Sequence, residues 1–263
     1  MHNRDELFVD AAKNGDIEQL QQLMAHIEPR TRTTDRAIRW ALRKGHTQCV
    51  KMLAPICLHL AGPSARNVLL TLTPLMLAAE MGNVECLEFL LPFSNPRDHD
   101  SQALWRAGEN GHVDCLNILL PLCCPTIYNF ALWKTIESGH VVCVQMLLDA
   151  IQQVGDITVD GNLLAWAVRN QQMECLRLLL KVCDPKSYRS LALRSALIYG
   201  RTEYVDVLKD LSDVQEALNA IRQYKKMPTG SDPFFWLDFE AQWIKQKLNH
   251  EVGEVGAQTL RKM

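Results

Sequence analysis

The side chains in this chain best suited to chemistry are histidines and cysteines spaced three apart: His46 with Cys49, His112 with Cys115, and His140 with Cys143. That spacing puts both on one helix face and resembles half of a zinc site. A closed metal site needs four converging ligands, whereas these pairs occupy one slot of different repeats, at least a full repeat apart. Each Cys stands where a small buried apolar residue would serve, a role that a free thiol fills well. The pairs therefore read as structural, with no metal and no cofactor. The vicinal Cys123-Cys124 pair chelates poorly on its own and is the most oxidisable spot if exposed. No Gly-x-Ser-x-Gly elbow, no Gly-x-x-x-x-Gly-Lys phosphate loop and no His-Glu-x-x-His helix occurs. A non-enzymatic protein is expected; the alternative is an unrecognised enzyme whose nucleophile is assembled from scattered residues among nine Cys and eight His.

The elements that carry these pairs come from a repeated phrase. Gly82-Asn83-Val84-Glu85-Cys86-Leu87 leads to Phe89-Leu90-Leu91, and Gly111-His112-Val113-Asp114-Cys115-Leu116 leads to Ile118-Leu119-Leu120. Gly139-His140-Val141-Val142-Cys143-Val144 leads to Met146-Leu147-Leu148, with weaker copies starting at Gly15, Gly45, Gln171 and Gly200. Self-similarity at such a period signals a stacked solenoid whose units bury their apolar faces against neighbours. Before the turn, Leu75, Ala78 and Ala79 share one helix face, as do Ile38, Ala41 and Leu42. The glycine suits a left-handed helix end, and Val84, Leu87, Leu90 and Leu91 form the stripe of a second helix. The expected fold is all-α, with about seven helix-turn-helix repeats and a C-terminal helical cap.

Thr73-Pro74-Leu75-Met76-Leu77-Ala78-Ala79-Glu80-Met81-Gly82-Asn83 resembles the ankyrin signature Thr-Pro-Leu-His-x-Ala-Ala-x-x-Gly-His, and the resemblance extends over residues 5 to 210. Only one unit keeps Thr-Pro-Leu, Met76 replaces the signature His, and some units are shorter than the usual 33 or so residues. The Asp-rich hairpin between units is largely absent, which implies fingers clipped to plain turns. A longer connection spans Leu58 to Leu72, with Gly62-Pro63-Ser64 marking a loop.

The resemblance implies a concave surface lined by residues five, two and one before each turn, which share the free face of the first helix. These are Asp10, Lys13, Asn14; Trp40, Arg43, Lys44; Leu77, Glu80, Met81; Arg106, Glu109, Asn110; Lys134, Glu137, Ser138; Trp166, Arg169, Asn170; and Ser195, Ile198, Tyr199. Trp, Tyr, Met and Arg are enriched at interfaces, so Trp40 and Trp166 with their neighbouring Arg are the expected anchors, or else ordinary core. Trp105 and Trp133, one position earlier, are expected to pack between units.

Residues 1–211 are expected to form the repeat domain, 212–250 a cap or docking element, and 251–263 a frayed tail. Ser212 to Met227 reads helical. After Pro228-Thr229-Gly230, a helix bears Leu237, Ala241, Ile244 and Leu248 on one face, beside Phe234, Phe235, Trp236, Phe239 and Trp243. It serves either as a cover for the last unit or as a second docking site in an adaptor. A net charge of −2 offers no basic field for nucleic acid, and no apolar run reaches the roughly 18 residues of a membrane span. The odd set of nine cysteines at apolar positions fits reduced thiols in a cytoplasmic protein. The expected partner is a protein, bound by a chain that is monomeric alone. The style of the repeats also resembles bacterial effectors delivered into a host cytosol.

Overall fold

Thr73 starts its helix by accepting a hydrogen bond at Oγ1 from the Met76 N–H at 3.3 Å, and Pro74 takes the first helical position, where its missing N–H costs nothing. Asn83 and Asp16 cap second helices in the same way, accepting from Cys86 and Gln19 N–H at 2.9 Å each. With these starts, and with a left-handed residue at most turns, the sequence folds as helix pairs. The structure is a computed structural model that describes residues 4–28, 31–58, 73–155 and 157–225. The C-terminal helix expected around Phe234 to Trp243, the tail, and the Gly62-Pro63-Ser64 loop lie outside those residues.

The chain divides into two compact units, Met1–Thr158 and Val159–Met263. The first holds five pairs: α1 (Arg4–Asn14) with α2 (Ile17–Met24), α3 (Arg32–Lys44) with α4 (Thr47–Leu58), α5 (Pro74–Met81) with α6 (Val84–Leu90), α7 (Asp98–Glu109) with α8 (Val113–Leu119), and α9 (Tyr128–Ser138) with α10 (Val141–Val154). First helices pack on first helices and second on second, giving two layers. The second unit holds α11 (Asn162–Arg169) with α12 (Met173–Leu179), α13 (Ser187–Ile198) with α14 (Thr202–Leu208), and α15 (Val214–Lys225). No strand occurs among the described residues. In place of hairpin fingers, α6 and α8 run into short 3-10 turns at Leu91–Phe93 and Leu120–Leu122.

The sequence after Leu211 departs from the repeat phrase, yet α15 packs on α13 as a further first helix would. Asp213 starts it, accepting from Glu216 N–H at 2.8 Å while its own N–H donates to Ser190 Oγ at 3.1 Å. Ala217, Ala220 and Ile221 form its buried face.

One contact recurs where repeats meet. His46 Nε2 donates to the Lys13 carbonyl at 3.0 Å, and His112 Nε2 donates to the Glu80 carbonyl at 2.9 Å. Each ring thereby caps the end of the preceding first helix, where carbonyls lack helical partners. The ring also lies over the preceding turn glycine, so a Cβ at Gly15 would sit 2.7 Å from His46 Nδ1 and one at Gly111 would sit 2.5 Å from His140 Nδ1. Asn83 replaces His in the third repeat. It donates instead to Thr47 Oγ1 at 3.3 Å, and among the described residues nothing lies within 4 Å of a Cβ at Gly45.

Not every left-handed residue is a glycine. Gln171 takes the turn position at φ 60°, and His99–Asp100–Ser101 and Tyr188–Arg189–Ser190 are each left-handed for three residues. Such conformations cost roughly 1–2 kcal/mol per residue. Both triplets precede their repeat's turn by the same offset, and both end in a buried serine, Ser101 and Ser190.

Gly45→Ala and Gly111→Ala separate the two demands on the turn. Both adopt positive φ, costing about 1 kcal/mol, but only Gly111→Ala collides with an imidazole. Denaturant midpoints with unchanged slopes are expected to show Gly111→Ala losing at least about twice as much stability. Equal losses would remove the ring contact from the account.

Candidate protein-binding surface

Of the histidines singled out with cysteine three positions on, His46 and His112 are committed to helix ends by their carbonyl bonds, and the His140 ring lies over Gly111. Cys49, Cys115 and Cys143 are buried in the core with Cys86 and Cys175 at the same repeat position. No group of three potential metal ligands is found among the described residues. A second cysteine position lies eight residues further on and holds Cys57, Cys123 and Cys183. There the Cys57 thiol donates to the Thr34 carbonyl at 3.5 Å and the Cys123 thiol to that of Pro96 at 3.6 Å. All nine cysteines are free. Burial pushes the Cys57 thiol up to about 12 and those of Cys115, Cys175 and Cys183 up to about 11. Of the vicinal pair, Cys123 is buried and Cys124 half-buried.

The free face of the first helices in unit 1 follows a rule the sequence pattern did not reveal. At three of its four junctions the residue two before one turn meets the residue five before the next, the exception being the second, where Arg43 is exposed and Leu77 is buried. Glu80 pairs with Arg106 at 2.5 Å, and Glu109 pairs with Lys134 at 3.8 Å. Lys134 also bonds Glu137 of its own helix at 3.1 Å. At the first junction the same places hold Lys13 and Trp40, and the ammonium lies 5.0 Å from the indole centroid. Arg43 also lies 5.8 Å from that centroid. Half-exposed pairs of this kind contribute about 0.2–1 kcal/mol each. Their larger effect is to fix where the charged heads stand.

The expected site residues divide accordingly. Arg43, Lys44, Met81, Asn110 and Glu137 are exposed, and Trp40, Glu80, Arg106, Glu109 and Lys134 are half-buried. Asn110 Nδ2 donates to the Arg106 carbonyl at 2.8 Å, closing its helix. Leu77 is 1% exposed, so its side chain belongs to the core and offers no surface, while Met81 beside it is 40% exposed. In the second unit Arg169 is exposed and lies 5.0 Å over Trp166, and Asn170 Nδ2 donates to the Trp166 carbonyl at 3.0 Å. Ile198 and Tyr199 are half-buried there.

A cluster that the sequence pattern left unassembled lies in unit 1. Phe130 stands edge-on between Trp105 at 5.7 Å and Trp133 at 5.3 Å and is 37% exposed. Arg106 covers Trp105 at 4.9 Å and Lys134 covers Trp133 at 4.8 Å. Trp105 thus packs against the next repeat while Trp133 meets Phe130 within its own helix, and the cations of the ion-pair ladder rest on both. Phe130 stands nine residues before its turn, a position to which the repeat pattern assigns no role.

The family model described as ankyrin repeats matches residues 55–129, in three copies. Among solved structures the chain is similar to the human ASB11 ankyrin repeat domain, at 22% identity and a TM-score of 0.50 over 71% of this chain and 95% of that one. No curated protein matches. Residues 55–129 thus match ankyrin repeats, which are generally protein–protein interaction modules, and the likeness to the solved structure is one of fold. No helix among the described residues is long and apolar enough to cross a membrane.

Burial orders the thiols by reactivity, because only the thiolate attacks an alkylating agent. At pH 8 a thiol of pKa about 12 is ionised to about one part in ten thousand. Iodoacetamide labelling of the native chain followed by peptide mass mapping is expected to modify Cys124 first, with the eight others labelled only after unfolding. Early labelling of Cys57 or Cys115 would contradict the packing described.

Proposed function

We propose that this chain is a non-enzymatic interaction module that holds a protein partner against the free face of its first helices. The supporting observation is the ladder in unit 1. Side chains from successive repeats are fixed by Lys13–Trp40, Glu80–Arg106 and Glu109–Lys134–Glu137, and Arg43, Lys44 and Met81 stand exposed among them. A partner meeting such a face has few side chains left to order, which lowers the cost of association. The mixture of both charge signs with Trp and Met suits a polypeptide better than a phosphate polymer. In the second unit, Trp166, Arg169, Asn170, Ile198 and Tyr199 are read as the corresponding surface. Nine free, mostly buried thiols are compatible with a reducing compartment, and we read the protein as cytoplasmic.

A photo-reactive residue placed at Met81 or at Val142 tests this reading. Met81 is exposed on a first helix, and Val142 is 60% exposed on a second helix. Irradiation in cell extract is expected to give discrete protein adducts from the Met81 position and none from Val142. Adducts from Val142 alone would move the binding surface to the opposite layer.

A further inference from the structure

The free face of unit 1 changes character along its length. From the third repeat onward its cations are neutralised, Arg106 by Glu80 and Lys134 by Glu109 and Glu137. At the first two repeats Lys13, Arg43 and Lys44 have no carboxylate within ion-pair distance among the described residues. Asp10, one helical turn before Lys13, forms no ion pair with it, and Asp35 on α3 is taken by Arg39 at 2.8 Å. Positive charge without an acidic partner therefore collects around one indole, with Lys13 at 5.0 Å and Arg43 at 5.8 Å from its centroid.

We infer that this end of the face takes an acidic peptide segment, in which Asp or Glu carboxylates stand next to an aromatic or aliphatic residue. The inference rests on the proposed role of the face as a binding surface and names the chemistry of the partner. A guanidinium is a planar fork that receives a carboxylate through two parallel N–H donors, and the two lysines supply point charges beside it. The half-buried Trp40 and the exposed Met81 on the next first helix provide apolar contact for the neighbouring side chain. Unpaired cations at a binding rim raise the association rate and select against cationic partners. The occupant is a peptide rather than a longer polyanion because Glu80, Glu109 and Glu137 lie further along the same face. A phosphate chain continuing past Met81 would meet them, whereas a peptide can place neutral residues there.

The test uses the full chain and a fluorescein-labelled probe of about twelve residues, in which Asp and Glu alternate with Leu and Phe, read by anisotropy at about 50 mM and 150 mM salt. A second probe replaces every Asp and Glu by Asn and Gln. The acidic probe is expected to bind at least about tenfold more tightly, with affinity falling as salt rises. Arg43→Gln with Lys44→Gln, at two exposed positions, is expected to weaken the acidic probe at least about fivefold with unchanged thermal unfolding, and Lys13→Glu to weaken it further. Equal binding of the two probes overturns the inference. If the Met81 photo-adducts persist in that case, the binding face stands and only its acidic partner is lost; if they are absent too, both readings fail. Tighter binding of a single-stranded DNA of similar length, abolished by the same substitutions, would also overturn it by assigning the patch to phosphate.

Discussion

An imidazole that lies over a glycine and donates from Nε2 to a carbonyl of the preceding helix is the contact from which the rest of unit 1 follows. It satisfies a helix-end carbonyl that would otherwise face a neighbour unpaired, as His46 does for Lys13 and His112 for Glu80. It also brings one turn so close to the next that no Cβ fits between them at Gly15, Gly82 or Gly111. At those three junctions this approach sets the spacing of the first helices, where small buried residues such as Ala78, Ala79 and Ala107 fit.

Close spacing of the first helices has a consequence for the surface. Residues two before one turn and five before the next come within reach of each other, so that their charges become partners rather than independent groups. Glu80 with Arg106 and Glu109 with Lys134 are the ionic form of this contact, and Lys13 with Trp40 is its aromatic form. A groove built this way has its charge pattern decided by which rungs are complete. The same carbonyl that accepts from His112 belongs to Glu80, whose carboxylate holds Arg106, so the packing contact and the surface contact share a residue.

Much of this was legible from local residues. The turn glycines, the Thr73 cap with Pro74 after it, the paired helices and the structural role of the His and Cys all follow from short-range rules on caps and periodicity. What could not be read depends on contacts between residues more than twenty positions apart. Leu77 falls on the expected face by its offset from Gly82, yet packing buries it. The partner of each charged residue lies in the next repeat, and no periodicity within one helix names it. His99–Ser101 and Tyr188–Ser190 are left-handed without a glycine or asparagine to signal it. The start of α15 is similar: the repeat phrase is missing, but Asp213 and the apolar Ala217, Ala220 and Ile221 suffice to seat a further first helix.

Native-state hydrogen exchange of His112→Ala against the parent chain tests the central claim most directly, because local opening reports the contact where it acts. Loss of the ring should leave the Glu80 carbonyl without its donor and loosen the seam. Faster exchange is expected in the last turn of Pro74–Met81 and in Val113–Leu119, with the remaining helices of the first unit nearly unchanged. Protection identical to the parent in both segments would contradict it and show that the repeats hold their register without the histidine.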